Sequence, residues 1–403
     1  MELFWLEHKK LWRKKIVKIC VLLCFVYCVI FGSILSFQWF SFGSSDDYTS
    51  AFGNNFDGYT VIKDSQEYAL SFGGELTDET LQKIVSDYQQ MEADGMGEEL
   101  EKTDWQIVNS WLGTLYPELR DTSNYKTMIS YVDPDKLTGF YERRQQVLDE
   151  FLEVSGQVGA EKEFLHQIER KVEKPFRYEW VEGWSTLLGS MVADLGVVMA
   201  LFLGIVLSSL FAGEWHDNTS TLVLTTRNGW GKIALAKILT GLAFTVELFA
   251  LLAVSIVISQ LFFMGTAGWD MPIQNIKLIA VAPMNMLQAE IYEYAFVLLG
   301  AIGFAGIVMF ISAAVKNNVL TLLLSLAVVY GPMMIAEYLP YEMQKALDLI
   351  PLVGSSTDIF RTNTFRIFGK LIWSPYLLIT IPVLIGILCM PFAIKSWSRR
   401  MKA

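Results

Sequence analysis

Three groups of residues have types that could do chemistry. The first is the run Asn228-Gly229-Trp230-Gly231-Lys232, where glycines and a lysine could in principle cradle a phosphate. The spacing excludes it. A phosphate-binding loop needs GxxxxGK followed by Ser or Thr, placed between a strand and a helix. Here Ile233 follows Lys232, no strand precedes, and no other glycine-rich candidate exists. The chain is expected to carry no nucleotide-binding domain of its own.

The second group is Asp194 in SMVADLGVV and Glu247 in AFTVELFAL, carboxylates embedded in apolar runs. An acid at membrane depth costs roughly 2.5–3.5 kcal/mol on insertion scales and defaults to a functional role. Apart from Lys18, no base lies inside such a run, so their partners are hydroxyls, water or a proton. A substrate or proton path and plain structural hydrogen bonding are equally open readings, with tolerated placement near the interface as a third. Asp194 stands about 200° around the helix from Gly196. It therefore points away from the small-residue ladder Gly196, Ala200, Gly204 and Ser208, toward a cavity or a second subunit.

The third group is metal-binding or nucleophilic. His8, His166 and His216 are scattered, no HExxH occurs, and no nucleophile is paired with a base. Cys20, Cys24 and Cys28 recur every fourth residue on one helix face, as packing residues do, and Cys389 stands alone. No catalytic residue, metal site or cofactor on this chain is expected, and it is read as no enzyme.

The elements that position these residues are membrane helices. The 403 residues are 53% hydrophobic, and six apolar runs are candidates to cross a bilayer, which takes about 20 residues. They cover 16–37, 187–211, 238–264, 294–315, 319–335 and 375–394; the fifth is the shortest. Between Asp46 and Glu182 there are 29 acids against 13 bases, a net of −16, while the remainder nets +6. An acidic soluble insert thus sits in a mildly basic membrane scaffold. Lys9, Lys10, Arg13, Lys14 and Lys15 precede the first run; Lys395, Arg399, Arg400 and Lys402 follow the last. Bases favour the cytoplasmic side, so both termini are expected inside and the insert outside a cell (plasma) membrane.

The fold class expected is an α-helical polytopic membrane protein. It has six transmembrane helices with an α-rich α+β extracellular insert between the first and second. Residues 1–15 read as an amphipathic interfacial helix with Phe4, His8, Leu11 and Trp12 on one face. The insert spans 38–183. Helical periodicity is clear in TDETLQKIVSDYQQM, GFYERRQQVLDEFLEV and EKEFLHQIERKV, and YTVIK and TMISYV read as strands. Phe176, Tyr178, Trp180 and Trp184 read as an aromatic belt at the membrane surface. The membrane domain, 184–403, contains an inner segment 213–236 and an outer amphipathic or re-entrant segment 338–372. A second small-residue ladder runs through Gly300, Ala301, Gly303, Ala305 and Gly306.

The inner segment carries a resemblance. Glu214 is followed by Asn218-Thr219, a short leucine-rich stretch from Leu222 to Leu224, Thr226-Arg227, and Ala236-Lys237 leading into the third run. This order resembles permeases of the ATP-binding-cassette type-2 exporter family. The proline usual in that family's turn is absent, and Asn218 stands where a glycine commonly precedes the threonine; Asn228-Gly229 offers a turn instead. The six-run layout with a large first insert is also similar. The resemblance implies a transmembrane subunit working as a dimer, with a second copy or a homologous half, and with cytoplasmic ATPases that hold ATP and Mg. Glu214, Trp215, His216, Asn218, Thr219, Leu222, Leu224 and Arg227 would then contact the ATPase. Leu222 and Leu224 would be buried in its groove, with Glu214 and Arg227 at the rim. It further implies export of an amphiphile, such as an antimicrobial peptide, drug or lipid, or of sodium. Nothing in the chain suggests nucleic acid. The rival readings are an ion-coupled secondary transporter using Asp194 and Glu247, and a membrane sensor whose insert binds a ligand.

Overall fold

The computed structural model describes residues 2–42, 60–71, 73–96, 105–121, 126–216, 219, 231–354 and 358–399. The chain is mostly helical. The first helix, α1 (Glu2–Arg13), breaks at Lys14 into α2 (Lys15–Phe42), which contains the first apolar run. The insert then builds α3 (Thr60–Ser71), β1 (Gly74–Glu75), α4 (Asp78–Met91), α5 (Trp105–Leu115), α6 (Phe140–Val154), α7 (Ala160–Glu169) and β2 (Arg177–Tyr178). A short α8 (Glu182–Thr186) leads back to the bundle. The bundle continues with α9 (Val192–His216), α10 (Lys232–Met264), α11 (Met286–Val315) and α12 (Asn318–Ile335). After α13 (Tyr341–Leu347) and a hairpin of β3 (Thr364–Ile367) with β4 (Lys370–Trp373), α14 (Ser374–Arg399) closes the chain.

Five helices among the described residues are long and apolar enough to cross a membrane, beginning at Asp194, Lys232, Met286, Asn318 and Ser374. This fits a helical multi-pass membrane protein. Small residues set its packing. Gly204 on α9 faces Leu322 and Leu326 of α12, and the Ser312 hydroxyl of α11 donates to the Ser208 carbonyl of α9 at 2.7 Å. The tightest approach is between α11 and α14: a Cβ on Gly303 or Gly306 would run into the backbone of Pro382 or Gly386. Such contacts are how helices associate where lipid gives no hydrophobic drive.

In the insert the three expected helices form. Thr77 caps α4 by accepting from the Thr80 amide at 3.3 Å, and Leu81, Ile84, Val85 and Tyr88 make its buried face. The expected strands do not form. The YTVIK stretch opens α3 with Ile62 buried, and Met128–Ser130 is a 3-10 turn. Burial of one helical face overrides the β preference of Val and Ile there. Among the described residues of the insert, the strands are the antiparallel pair β1–β2, with Gly74 opposite Tyr178, and the rest is mainly helix.

The aromatic belt is also replaced by a core. Phe176, Tyr178, Trp180 and Trp184 are at most 5% exposed. The Trp180 indole donates to the Met264 carbonyl at 2.9 Å and that of Trp184 to Thr266 at 3.3 Å. These rings seat the insert on the outgoing end of α10. In the 338–372 segment, expected to be amphipathic or re-entrant, the β3–β4 hairpin turns through Phe368 and Gly369, both at positive φ, as a tight type I′ turn demands. It then docks on the insert, Arg366 pairing with Glu161 at 2.7 Å and Thr364 donating to Gln157 at 2.9 Å.

Candidate functional site

The 213–236 segment is partly helical at both its ends. Glu214, Trp215 and His216 continue α9, and α10 starts at Lys232. Asn218, Leu222, Leu224 and Arg227 lie outside the described residues.

Around the two helix ends sits an ionic cluster. Glu214 Oε1 accepts from Lys237 Nζ at 2.9 Å and from Lys10 Nζ at 2.6 Å, and Lys237 also reaches Glu7 Oε2 at 2.7 Å. The Thr219 hydroxyl donates to Glu214 Oε2 at 2.5 Å, and its amide to the Glu214 carbonyl at 3.0 Å. Beside it, Lys14 Nζ donates to Ser209 Oγ at 3.0 Å. Two acids and two bases balance in charge. Glu214 and Lys237 are 4% and 2% exposed, so each is the other's necessary partner. Expected at the rim of a partner's groove, Glu214 is held inside this chain. It ties the end of α9 and the start of α10 to the amphipathic α1.

Trp215 is likewise engaged within the chain. Its ring lies 6.0 Å from that of Trp397, and Lys316 Nζ sits 4.3 Å from its centroid. His216 is exposed.

The two acids read from the apolar runs are not brought together. Asp194 is half-buried in the first turn of α9. Glu247 is 44% exposed midway along α10, where it pairs with His8 Nε2 at 3.2 Å and accepts from the Trp12 indole at 3.1 Å. The aromatic face of α1 thus lies on α10, with Trp12 and Phe244 rings 5.6 Å apart. That face is the one the spacing of Phe4, His8, Leu11 and Trp12 predicts. Glu247 becomes the anchor of α1 rather than a solitary acid.

Two other acids do lie deep. Because Asn285 and Gln288 form a capping box, α11 begins at Met286, eight residues before the expected span. This brings Glu290 and Glu293 into the bundle at 5% and 0% exposure. Neither oxygen of Glu290 has a hydrogen-bond partner. Tyr294, four residues on, faces the Glu290 carboxyl, yet its hydroxyl also lacks hydrogen-bond geometry. The Tyr294 ring lies 6.1 Å from that of Phe249 on α10. Sequence reading missed this group because the apolar run was counted from Tyr294. The signal was present in the i, i+3, i+4 spacing of EIYEY, which puts all three side chains on one face.

The insert and the 265–285 connection enclose an open cleft of about 360 Å³, lined by Lys171, Arg177, Asp270, Gln274 and Gln288 among others. Arg177 and Asp270 meet across it at 3.3 Å. No protein-family model matches the chain, and no similar curated protein or solved structure was found.

Proposed function

We propose that this chain is the transmembrane permease subunit of an ATP-driven exporter. In this reading α2 is a further span beside the five, both termini and residues 213–236 are cytoplasmic, and the insert lies outside the cell membrane. A separate ATP-binding-cassette ATPase, holding ATP and Mg, would press on the loop. Two permease copies or homologous halves would frame the path.

The observation that supports this best is the Glu214–Lys237–Lys10–Glu7 cluster. A loop that merely connects two helices needs no buried charge at its root. Here the root of the loop is locked to α1, which lies along α10 as far as Glu247. A push on the loop would therefore move α9, α10 and α1 together, and an ATP-driven bias between two arrangements would reach the whole bundle. The ion-coupled alternative draws less support, since Asp194 and Glu247 share no contact and Glu247 is half-exposed against His8.

The test is co-purification of the partner ATPase from native membranes, with its ATP turnover in nanodiscs. Leu222→Asp with Leu224→Asp places two charges in the expected contact, where unpaired buried charge is strongly unfavourable. Loss of the ATPase with an intact permease is expected. A fully stimulated ATPase retained on the double variant would sink the reading.

A further inference from the structure

The aromatic face of α1 is not available to the headgroup region where its spacing would place it. Leu11 is buried, Trp12 packs on Phe244, and His8 pairs with Glu247, so that face is taken up by α10. The opposite face stays outside. Trp5 and Leu6 are 61% and 64% exposed, and Lys9 and Arg13 beside them are exposed as well. Lys15 and Lys18, at the start of α2, are exposed too. Lys10 is engaged with Glu214, but Lys9, Arg13, Lys15 and Lys18 form no ion pair among the described residues. Glu2 is the acid on the same side of α1. The length of α10 puts this face at a membrane surface. Its 33 residues rise about 50 Å, roughly 20 Å more than a hydrocarbon core of about 30 Å. One end is occupied by the insert, where Trp180 donates to the Met264 carbonyl. The overhang therefore falls toward Lys232, and the α1 contacts at Lys237, Phe244 and Glu247 all lie in that half of α10.

We propose that Lys9, Arg13, Lys15 and Lys18 are a docking surface for anionic phospholipid, contacting the headgroup phosphates of the leaflet that α2 enters. Four bases against Glu2 complement a negatively charged leaflet, which attracts juxtamembrane lysines and arginines. The i, i+4 spacing of Lys9 and Arg13 and the i, i+3 spacing of Lys15 and Lys18 put each pair on one side of its helix. Trp5 and Leu6 among them suit the boundary between headgroups and acyl chains. Lys18, one turn before the exposed Leu22, marks where the lipid-facing side of α2 begins. Because its larger apolar face is committed to α10, α1 holds lipid through charge, and the contact depends on which headgroup is present. A zwitterionic leaflet carries no net charge and gives no comparable hold. A docked α1 keeps Glu7 and Lys10 against Lys237 and Glu214, so leaflet charge steadies the root of the 213–236 segment.

This inference rests on α2 crossing the membrane and not on any ATPase, so it is tested on the purified full chain. Leu6→Cys, on a background lacking the four native cysteines, carries a nitrobenzoxadiazole fluorophore in nanodiscs of phosphatidylcholine. A small share of spin-labelled phosphatidylglycerol, or the same share of spin-labelled phosphatidylcholine, acts as quencher. Stronger quenching by phosphatidylglycerol is expected, and added salt should bring the two lipids to parity by screening. Lys9→Gln with Arg13→Gln, and Lys15→Gln with Lys18→Gln, should each lose most of the preference. Lys83→Gln with Lys171→Gln, which removes the same charge from exposed positions on the insert, should keep it. Should a double variant not purify as a single species, the salt series on the labelled chain without further substitution decides. Equal quenching by both lipids at low salt, a preference that salt does not move, or a preference kept by both double variants overturns the proposal. Quenching by neither lipid gives this face to a protein partner and overturns it as well. Any of these failures with ATPase association intact would leave the permease reading standing; charge-dependent quenching without ATPase association would do the reverse.

Discussion

Arg144 and Glu169 meet at 2.6 Å inside the insert, their side chains 0% and 3% exposed. The same guanidinium donates to the Leu278 carbonyl at 2.7 Å and the Ala280 carbonyl at 3.2 Å, both on the connection between α10 and α11. Lys174 adds a second base to Glu169 at 2.9 Å. One arginine thus joins the insert to the chain that leads into Glu290. Nearby, the Trp111 indole donates to the Asn275 carbonyl at 3.1 Å and the Asn275 side-chain amide to the Arg177 carbonyl at 2.9 Å. The insert is bonded at several points to the connection that leads into the start of α11.

Removing Arg144 leaves Glu169 with Lys174 alone and strips the Leu278 and Ala280 carbonyls of their donor, a loss approaching the ~3–5 kcal/mol of a broken buried pair. Arg144→Ala should therefore release the insert from the connection at lower temperature than wild type. Limited proteolysis across a temperature ramp reads this directly. Unchanged cleavage within 265–285 would mean that the arginine is not the tie.

The same carboxylate predicts an acid limit. Burial pushes Glu169 up, but hydrogen bonds from Lys174 and Arg144 outweigh it and hold the group below its ordinary value of 4.5. A carboxylate lowered on folding contributes stability that is complete above its unfolded value and is lost as pH falls through the folded one. Wild-type melting temperature should fall from about pH 4.5 downward. Glu169→Gln, less stable at neutral pH, should show a shallower decline over that window. Parallel curves for the two proteins would remove Glu169 from the explanation.

Lys10 and Lys237 both bind Glu214, yet exposure separates their worth. Lys10 is 53% exposed and Lys237 2%. A solvent-screened pair is worth about 0–1 kcal/mol, whereas removing a buried partner costs about 3–5 kcal/mol. Lys10→Ala should leave thermal stability nearly unchanged, and Lys237→Ala should lower it markedly. Glu214→Gln made in the Lys237→Ala background should recover part of the loss, because no uncompensated charge remains. Additive losses in that double variant would show that the two side chains act separately.

The α11–α14 contact gives a packing test. Gly306 faces the backbone of Gly386 with no room for a side chain. Gly306→Leu must push the helices apart, and overpacking of a tight core costs about 1–3 kcal/mol or more. Reduced survival in mild detergent is expected, with Gly196→Ala, which meets nothing within 4 Å, as the tolerated control.

Long apolar runs were legible because their period and length are strong signals. Both small-residue ladders reappear as close helix contacts at Gly204, Ser208, Gly303 and Gly306. What the sequence concealed were facts of depth and partnership. Glu247 read as a lone acid because its partner His8 lies more than 200 residues away, and Glu214 read as a rim contact because Lys10, 204 residues away, gives no sign in the sequence of reaching it. Glu290 was hidden by a boundary: polar residues at the head of a run look like loop until a capping box shows the helix starting earlier. The strand readings failed where a buried face at Ile62 outweighed local preference.

The distribution of bases makes one claim that a single experiment can check: the inner loop and the hairpin lie on opposite sides of a membrane. Phe368, at the tip of the β3–β4 hairpin, is 101% exposed and belongs to the end of the molecule that carries the insert. The end of α9 that precedes Asn218 in the chain is tied to α1 through Glu214 and Lys10. The native thiols complicate labelling little, since Cys20, Cys24 and Cys28 are at most 5% exposed, but Cys389 is half-buried and is best replaced. On a background lacking all four, Phe368→Cys in intact cells should react with a membrane-impermeant maleimide. Asn218→Cys should react only after the membrane is opened. The reverse pattern would invert the orientation, and it would place the 213–236 segment out of reach of any cytoplasmic ATPase. Equal labelling of both cysteines from outside would mean that the bundle does not separate the two ends, and the permease reading would fall with it.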